Sequence, residues 1–129
     1  GIEIVAEVLE IGRGAIELAT EEAGQGTAAL SPCALYQKDM YSEAGLEAAA
    51  GADFIFAYAT CFETSDGTTL AKLSKALAGH VRRGTCVVTM NKALDPRVGF
   101  KLRTTYVGPN PDSISDDAVA YVFDFVGGA

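Results

Sequence analysis

Gly1-Ile2-Glu3-Ile4-Val5-Ala6-Glu7-Val8-Leu9-Glu10-Ile11-Gly12-Arg13-Gly14 opens the chain, and two folds compete for it. In one, residues 5–11 are a central strand, and Glu10-Ile11-Gly12-Arg13-Gly14 is the acidic, glycine-rich turn of a nucleotide-binding fold. A strand buried on both faces is nearly continuous apolar residue. Glu7 and Glu10 break that run, and Glu17 stands where the fingerprint's third glycine belongs. In the other, residues 1–4 end a strand and a helix runs from residue 6 to about 22. Val8, Leu9, Ile11, Ala15, Ile16, Leu18 and Ala19 then recur at helical spacing, and Gly24-Gln25-Gly26 stops the helix. This reading leaves the apolar stripe intact, and the rest of the chain is placed from it.

Downstream, short β-rich runs alternate with segments of helical period, which predicts α/β architecture with a mostly parallel sheet. After Pro32, residues 34–38 read as a second strand ending at Asp39. Ser42 is a suitable N-cap for a short helix to Ala50, closed by Gly51. Phe54-Ile55-Phe56-Ala57-Tyr58 is apolar throughout, as expected of a strand covered on both faces. A helix from about residue 68 to 80 places Leu70, Leu73 and Leu77 along one side. Arg82-Arg83-Gly84 turns the chain into a strand over residues 85–89, where Cys86 reads as a small buried hydrophobe. Residues 100–107 and 118–126 read as strands around a polar loop containing Pro109-Asn110-Pro111-Asp112, most simply an antiparallel pair.

Composition narrows the function classes. The 129 residues suit one domain or a large part of one, and 49% are apolar, enough for a core. Seventeen acidic against ten basic residues give a net charge of −7. That sign repels phosphate backbones and anionic lipid, so nucleic acid and membrane are poor partners. Cys33, Cys61 and Cys86 fit neither a disulfide framework nor a zinc pattern, which implies a reducing, intracellular, cytoplasmic setting and no metal. No apolar run spans a bilayer, and no signal peptide opens the chain. Ordered structure from Gly1 onward, without an initiator methionine, reads as a chain entered midway.

Three places have the position for chemistry, and each has a plain structural reading beside it. Glu3 is an acid at a strand's carboxyl tip, where doubly wound folds bind ligands and a carboxylate accepts ribose hydroxyls; its plain reading is a solvated charge at a strand end. Asp39-Met40 follows the next strand. The acid suits an adenine amine and the methionine its ring face, or Asp39 simply caps a turn. Tyr58-Ala59-Thr60-Cys61-Phe62 follows the most apolar strand, as an active-site segment or as a loop with Phe62 packed onto the sheet. Cys61 has no evident base: the single histidine, His80, sits at a predicted helix C-terminus, an ordinary place for it.

With these elements placed, the chain resembles the class I S-adenosylmethionine-dependent methyltransferases, and most closely the non-SET histone-lysine methyltransferase branch and its bacterial relatives. Gly1-Ile2-Glu3 is similar to the second strand of that family, whose acid binds the cofactor ribose. Gln37-Lys38-Asp39-Met40 is similar to the end of the third, which frames the adenine. Residues 52–62, the leucine-spaced helix, Arg83-Gly84, residues 85–89 and Asn91-Lys92 resemble the fourth-strand motif through the fifth strand. The final hairpin fits the sixth and seventh strands in type.

The resemblance implies a Rossmann-like doubly wound sheet with an antiparallel C-terminal hairpin, lacking the first strand and glycine-rich loop. It implies S-adenosyl-L-methionine as cofactor, held by Glu3, Ile4, Asp39, Met40 and Tyr58, with Tyr58 and Thr60 at the catalytic floor. The acceptor is a small molecule or a protein lysine. Histone-modifying members carry paired asparagines where this chain has Tyr58-Ala59, so the likeness does not extend to histone itself. The absent strand lies at the family's sheet centre, which implies that residues 1–129 alone bind cofactor weakly or not at all and are inactive. Two rival classes stay open: an NAD-type dinucleotide-binding domain and a non-catalytic α/β interaction module.

Overall fold

Residues Ala6–Gly24 form one helix, α1, continuous through Gly12 and Gly14. The strand-and-glycine-loop alternative for residues 5–14 is thereby excluded. Glycine lowers helix stability but does not break a helix whose neighbours supply the ladder. The computed structural model describes residues 1–26, 30–110, 113 and 116–128. Pro111 and Asp112 of the expected polar loop lie outside the described residues.

The chain divides into two units, Gly1–Gly45 and Leu46–Ala129. In the first, β1 (Ile2–Glu3) precedes α1 and pairs in parallel with β2 (Tyr36–Gln37), through Ile2 against Tyr36 and Glu3 against Gln37. Strand β2 is shorter than the five residues expected. Its C-terminal turn leads to α2 (Glu43–Ala50), which begins in this unit and ends in the second. Ser42 caps α2 as expected, its Oγ accepting from Gly45 N at 3.1 Å. A Cβ at Gly45 would stand 2.1 Å from the Asp39 carbonyl oxygen, so only glycine lets the first turn of α2 close on the Asp39 turn.

The second unit holds a mixed four-stranded sheet in the order β3 (Phe54–Ala57), β4 (Cys86–Met90), β6 (Asp117–Phe125), β5 (Phe100–Pro109). β3 and β4 are parallel, whereas β6 runs antiparallel to both β4 and β5. The expected antiparallel pair is present, and it joins the sheet through its second strand. With two antiparallel pairings against one parallel, the sheet is mixed rather than mostly parallel. Helix α3 (Ala71–Ala78) buries Leu73 and Leu77, and Leu70 just before it is also buried. With Val87, Leu94, Phe100, Phe123 and Phe125 they make the core of this unit.

Helix α3 starts later than its period predicts because Asp66 holds residues 68 and 69 in a turn and Thr69 bridges Ala93. A single 3-10 turn over Pro96–Val98, unforeseen in the sequence, begins at Asp95, whose carboxylate accepts from Arg97 N. It ends at Gly99 in the left-handed region, with φ +100° and the Gly127 backbone where a Cβ would be.

Strand β3 departs from expectation. Its residues alternate in exposure, with Phe54 58% and Phe56 56% exposed while Ile55 and Ala57 are half-buried. Paired positions share a face, so Phe54 and Phe56 lie beside Cys86 and Val88, and Ile55 lies beside the buried Val87. An apolar run makes burial on two faces possible; whether it happens depends on what covers the second face. Cys86 is half-buried for the same reason, not a core residue.

Candidate functional site

In the first unit, Glu3 and Asp39 come to the same end of one parallel pair. Lys38 N donates to Glu3 O at 3.0 Å, and Gln37 Nε2 reaches Ile4 O at 3.3 Å, which ties the two strand ends together. Both carboxylates are fixed by their own backbone. Glu3 Oε1 accepts from Ile4 N and Val5 N at 2.8 and 2.9 Å, and Asp39 Oδ1 accepts from Tyr41 N at 2.8 Å. The capping role weighed for Asp39 is therefore real, and Glu3 has an equivalent one. In each case the bonds go to one oxygen, Oε1 of Glu3 and Oδ1 of Asp39. A carboxylate braced through one oxygen presents the other in a fixed direction, which suits it to accept from a ligand hydroxyl or amine. Ile4 is exposed and Met40 half-buried beside them. Lys38 Nζ donates to Ala44 O of α2 at 3.4 Å and lies 5.2 Å from the Tyr36 ring centroid.

In the second unit, the segment after β3 forms a tight loop. Phe62 N donates to Ala59 O at 3.1 Å, and Ala59 is its buried residue. Tyr58 is exposed and lies along the Phe56 ring, centroids 6.5 Å apart. Thr60 is half-buried, with its hydroxyl 3.9 Å from Cys61 Sγ. His80 follows α3 on the surface with Nδ1 2.9 Å from Ala76 O, which leaves that nitrogen serving its own helix end.

Sequence reasoning named Lys92 only within the family resemblance and gave it no role. It follows β4, and its ammonium donates to the carbonyls of Thr60 and Phe62, the latter at 2.9 Å. The available clue was a long cation directly after a buried strand, which must find acceptors wherever it is partly desolvated.

Next to this loop, Asp66 accepts from the amides and the hydroxyls of both Thr68 and Thr69. Those bonds, led by the two amides, hold its carboxyl down at about 2. Asp95, buried, is also held below the usual carboxylate range, first by the Arg97 side chain and then by the Arg97 amide. Both are structural anchors around the start of α3. Among the described residues no three His, Cys, Asp or Glu side chains gather as metal ligands, and no helix is long and apolar enough to cross a membrane. The chain matches no protein-family model, no curated protein and no solved structure.

Proposed function

We propose that the chain is part of a class I S-adenosylmethionine-dependent methyltransferase with a Rossmann-like, doubly wound sheet, acting on a small molecule or a protein lysine. The observation that carries this reading is the placement of Glu3 and Asp39-Met40 at the carboxyl ends of two adjacent parallel strands. Such ends are where open α/β sheets receive nucleotides. Two acids there, each with one oxygen braced and one presented, suit a nucleoside: Glu3 toward the ribose hydroxyls, Asp39 toward the adenine amine, Met40 along the ring.

S-Adenosyl-L-methionine supplies, when bound, a methyl group already activated by a sulfonium. The protein's task is then mostly to hold donor and acceptor in line, and the lack of a nucleophile with its base is compatible with that. This reading gives Tyr58 and Thr60 the catalytic role and counts Ile4 and Tyr58 among the cofactor-binding residues. The free thiols of Cys33, Cys61 and Cys86 suit an intracellular, cytoplasmic enzyme.

One feature of the second sheet supports the reading over an NAD-type domain: β6, which lies between β4 and β5, runs antiparallel to both, whereas dinucleotide folds continue in parallel. The reading also requires a further parallel strand with a glycine loop for the methionine half of the cofactor. One observation favours a second reading, a non-catalytic interaction module: the exposed row Phe54, Phe56, Tyr58 on β3 and its continuation.

Equilibrium dialysis of tritiated S-adenosylmethionine against the polypeptide encoded by the whole gene, and against residues 1–129 alone, separates these. Retention by the first and not the second is expected. E3Q and D39N should each weaken retention roughly tenfold or more, the scale of a lost hydrogen bond to a charged group. Retention of NAD instead, or of neither, would sink the proposal.

A further inference from the structure

We infer that Lys92 is the positioning residue of the loop after β3: its ammonium, gripping the Thr60 and Phe62 carbonyls, sets how Tyr58 and Thr60 are presented. The catalytic meaning of that loop rests on the methyltransferase reading; the grip itself does not.

The base of the grip is rigid. Thr89 Oγ1, on a fully buried residue of β4, donates to Lys92 O at 2.6 Å. Asn91, in the left-handed region at φ +59°, exchanges two bonds with Val119 of β6: its amide to Val119 O at 2.7 Å, and its Oδ1 from Val119 N at 2.8 Å. Ala93 N donates to Thr68 O at 2.9 Å, and Leu70 N to Ala93 O at 2.8 Å. Lys92 therefore stands on backbone fixed to β4, β6 and the start of α3, while its side chain reaches across to a segment 30 and 32 residues earlier.

The loop it holds also has bonds of its own, Ala59 N to Ala57 O at 2.9 Å and Phe62 N to Ala59 O at 3.1 Å, and Thr60 and Phe62 are half-buried. Ala59 is its buried residue, and Tyr58 and Cys61 are exposed. Carbonyls of residues 60 and 62 turned onto one ammonium force the chain between them into a bend around the cation. Among the described residues no carboxylate lies within ion-pair distance of Lys92. Its charge thus acts on main-chain dipoles, and so on backbone shape, rather than neutralising an acid. Because the core of the unit lies on α3 and strands β4 to β6, losing the grip should disturb loop order more than the fold.

Hydrogen exchange by mass spectrometry on the whole-gene polypeptide reads that split. In K92M, which keeps length and removes the donors, amides of residues 59–64 should exchange about tenfold faster or more, as a locally released segment does. Amides of β4 should be unchanged, and K92R should restore most of the protection. Unchanged loop exchange in a folded K92M overturns the inference. Should K92M not fold, through-hydrogen-bond coupling between Lys92 Nζ and the Thr60 and Phe62 carbonyl carbons in the wild type decides: its presence supports the grip, its absence overturns it. Added S-adenosylhomocysteine should slow exchange of the same loop in the wild type. No slowing, with K92M still loosened, leaves Lys92 as a loop clamp and removes the methyltransferase reading of the loop.

Discussion

The units Gly1–Gly45 and Leu46–Ala129 differ in how their apolar residues are used. In the second, leucines spaced along α3 and phenylalanines from β5 and β6 are buried together with hardly any exposed surface. In the first, α1 has an equally regular apolar stripe, yet Leu9 is its buried member while Val8, Ile11 and Leu18 are exposed. The same periodicity accompanies a core in one unit and an open face in the other. Period reports which side of a helix is fit for burial; burial itself needs a partner surface.

That contrast sets the scale of the largest expected effect. Leu73→Ala removes a side chain only 1% exposed, and large-to-small changes at such sites destabilise by about 2–5 kcal/mol. Urea unfolding followed by circular dichroism should show the unfolding free energy fall by that amount. A loss under about 1 kcal/mol would mean that the second unit lacks the close-packed core described here.

A smaller effect belongs to the turn at Asp39. Gly45→Ala places a Cβ against the Asp39 carbonyl, and forced backbone shifts of this kind destabilise by about 1–3 kcal/mol. The local consequence should be the clearer one: faster exchange of the Ser42 amide, which donates to Asp39 O at 3.1 Å. On the methyltransferase reading, cofactor retention weakens in parallel, because Asp39 no longer holds its direction. Full retention with a displaced turn would separate Asp39 from binding.

What the sequence disclosed follows the range of the interactions. Helix α1, the Ser42 cap and the antiparallel terminal pair rest on contacts within or between neighbouring segments, and local spacing reports those. The late start of α3 was not visible, because Asp66 and the Ala93 bridge override the helical preference of residues 68–70. The grip of Lys92 was hidden too, since its acceptors are carbonyls, which carry no residue-type signature. The positions of Glu3 and Asp39 at strand ends were readable. The bracing of one oxygen on each was foreseen only as the capping alternative at Asp39. For β3, five apolar residues in a row could not say whether the second face is covered.

Asp66 provides a pH-dependent test confined to the second unit. Its folded carboxyl lies near 2, against an ordinary value of 3.8. A depressed folded value means that its contribution is fully present above about pH 4 and is lost as pH falls through about 2. Stability of the second unit should therefore decline across that window. The D66N variant should flatten the part of the decline that Asp66 causes. Carboxyl carbon shifts would give the midpoint directly, and a midpoint near 4 would show that the four donors from Thr68 and Thr69 are not holding the carboxylate.

The smallest expected effect is also the one that bears most on the open face. Ile11 is 74% exposed, so Ile11→Ser removes little buried surface, and surface changes of this kind alter stability by about 0.5 kcal/mol or less. Measured on residues 1–129, the unfolding midpoint should barely move. The proposed enzyme has a further central strand, and a sheet completed there has more apolar surface for α1 to cover. In the whole-gene polypeptide the same substitution should then cost about 1.5–3 kcal/mol, the value of burying one aliphatic side chain. Equal, small effects in both polypeptides would mean that α1 keeps its apolar face in water, and that the difference between the two units belongs to the protein rather than to the stretch of chain in which it is seen.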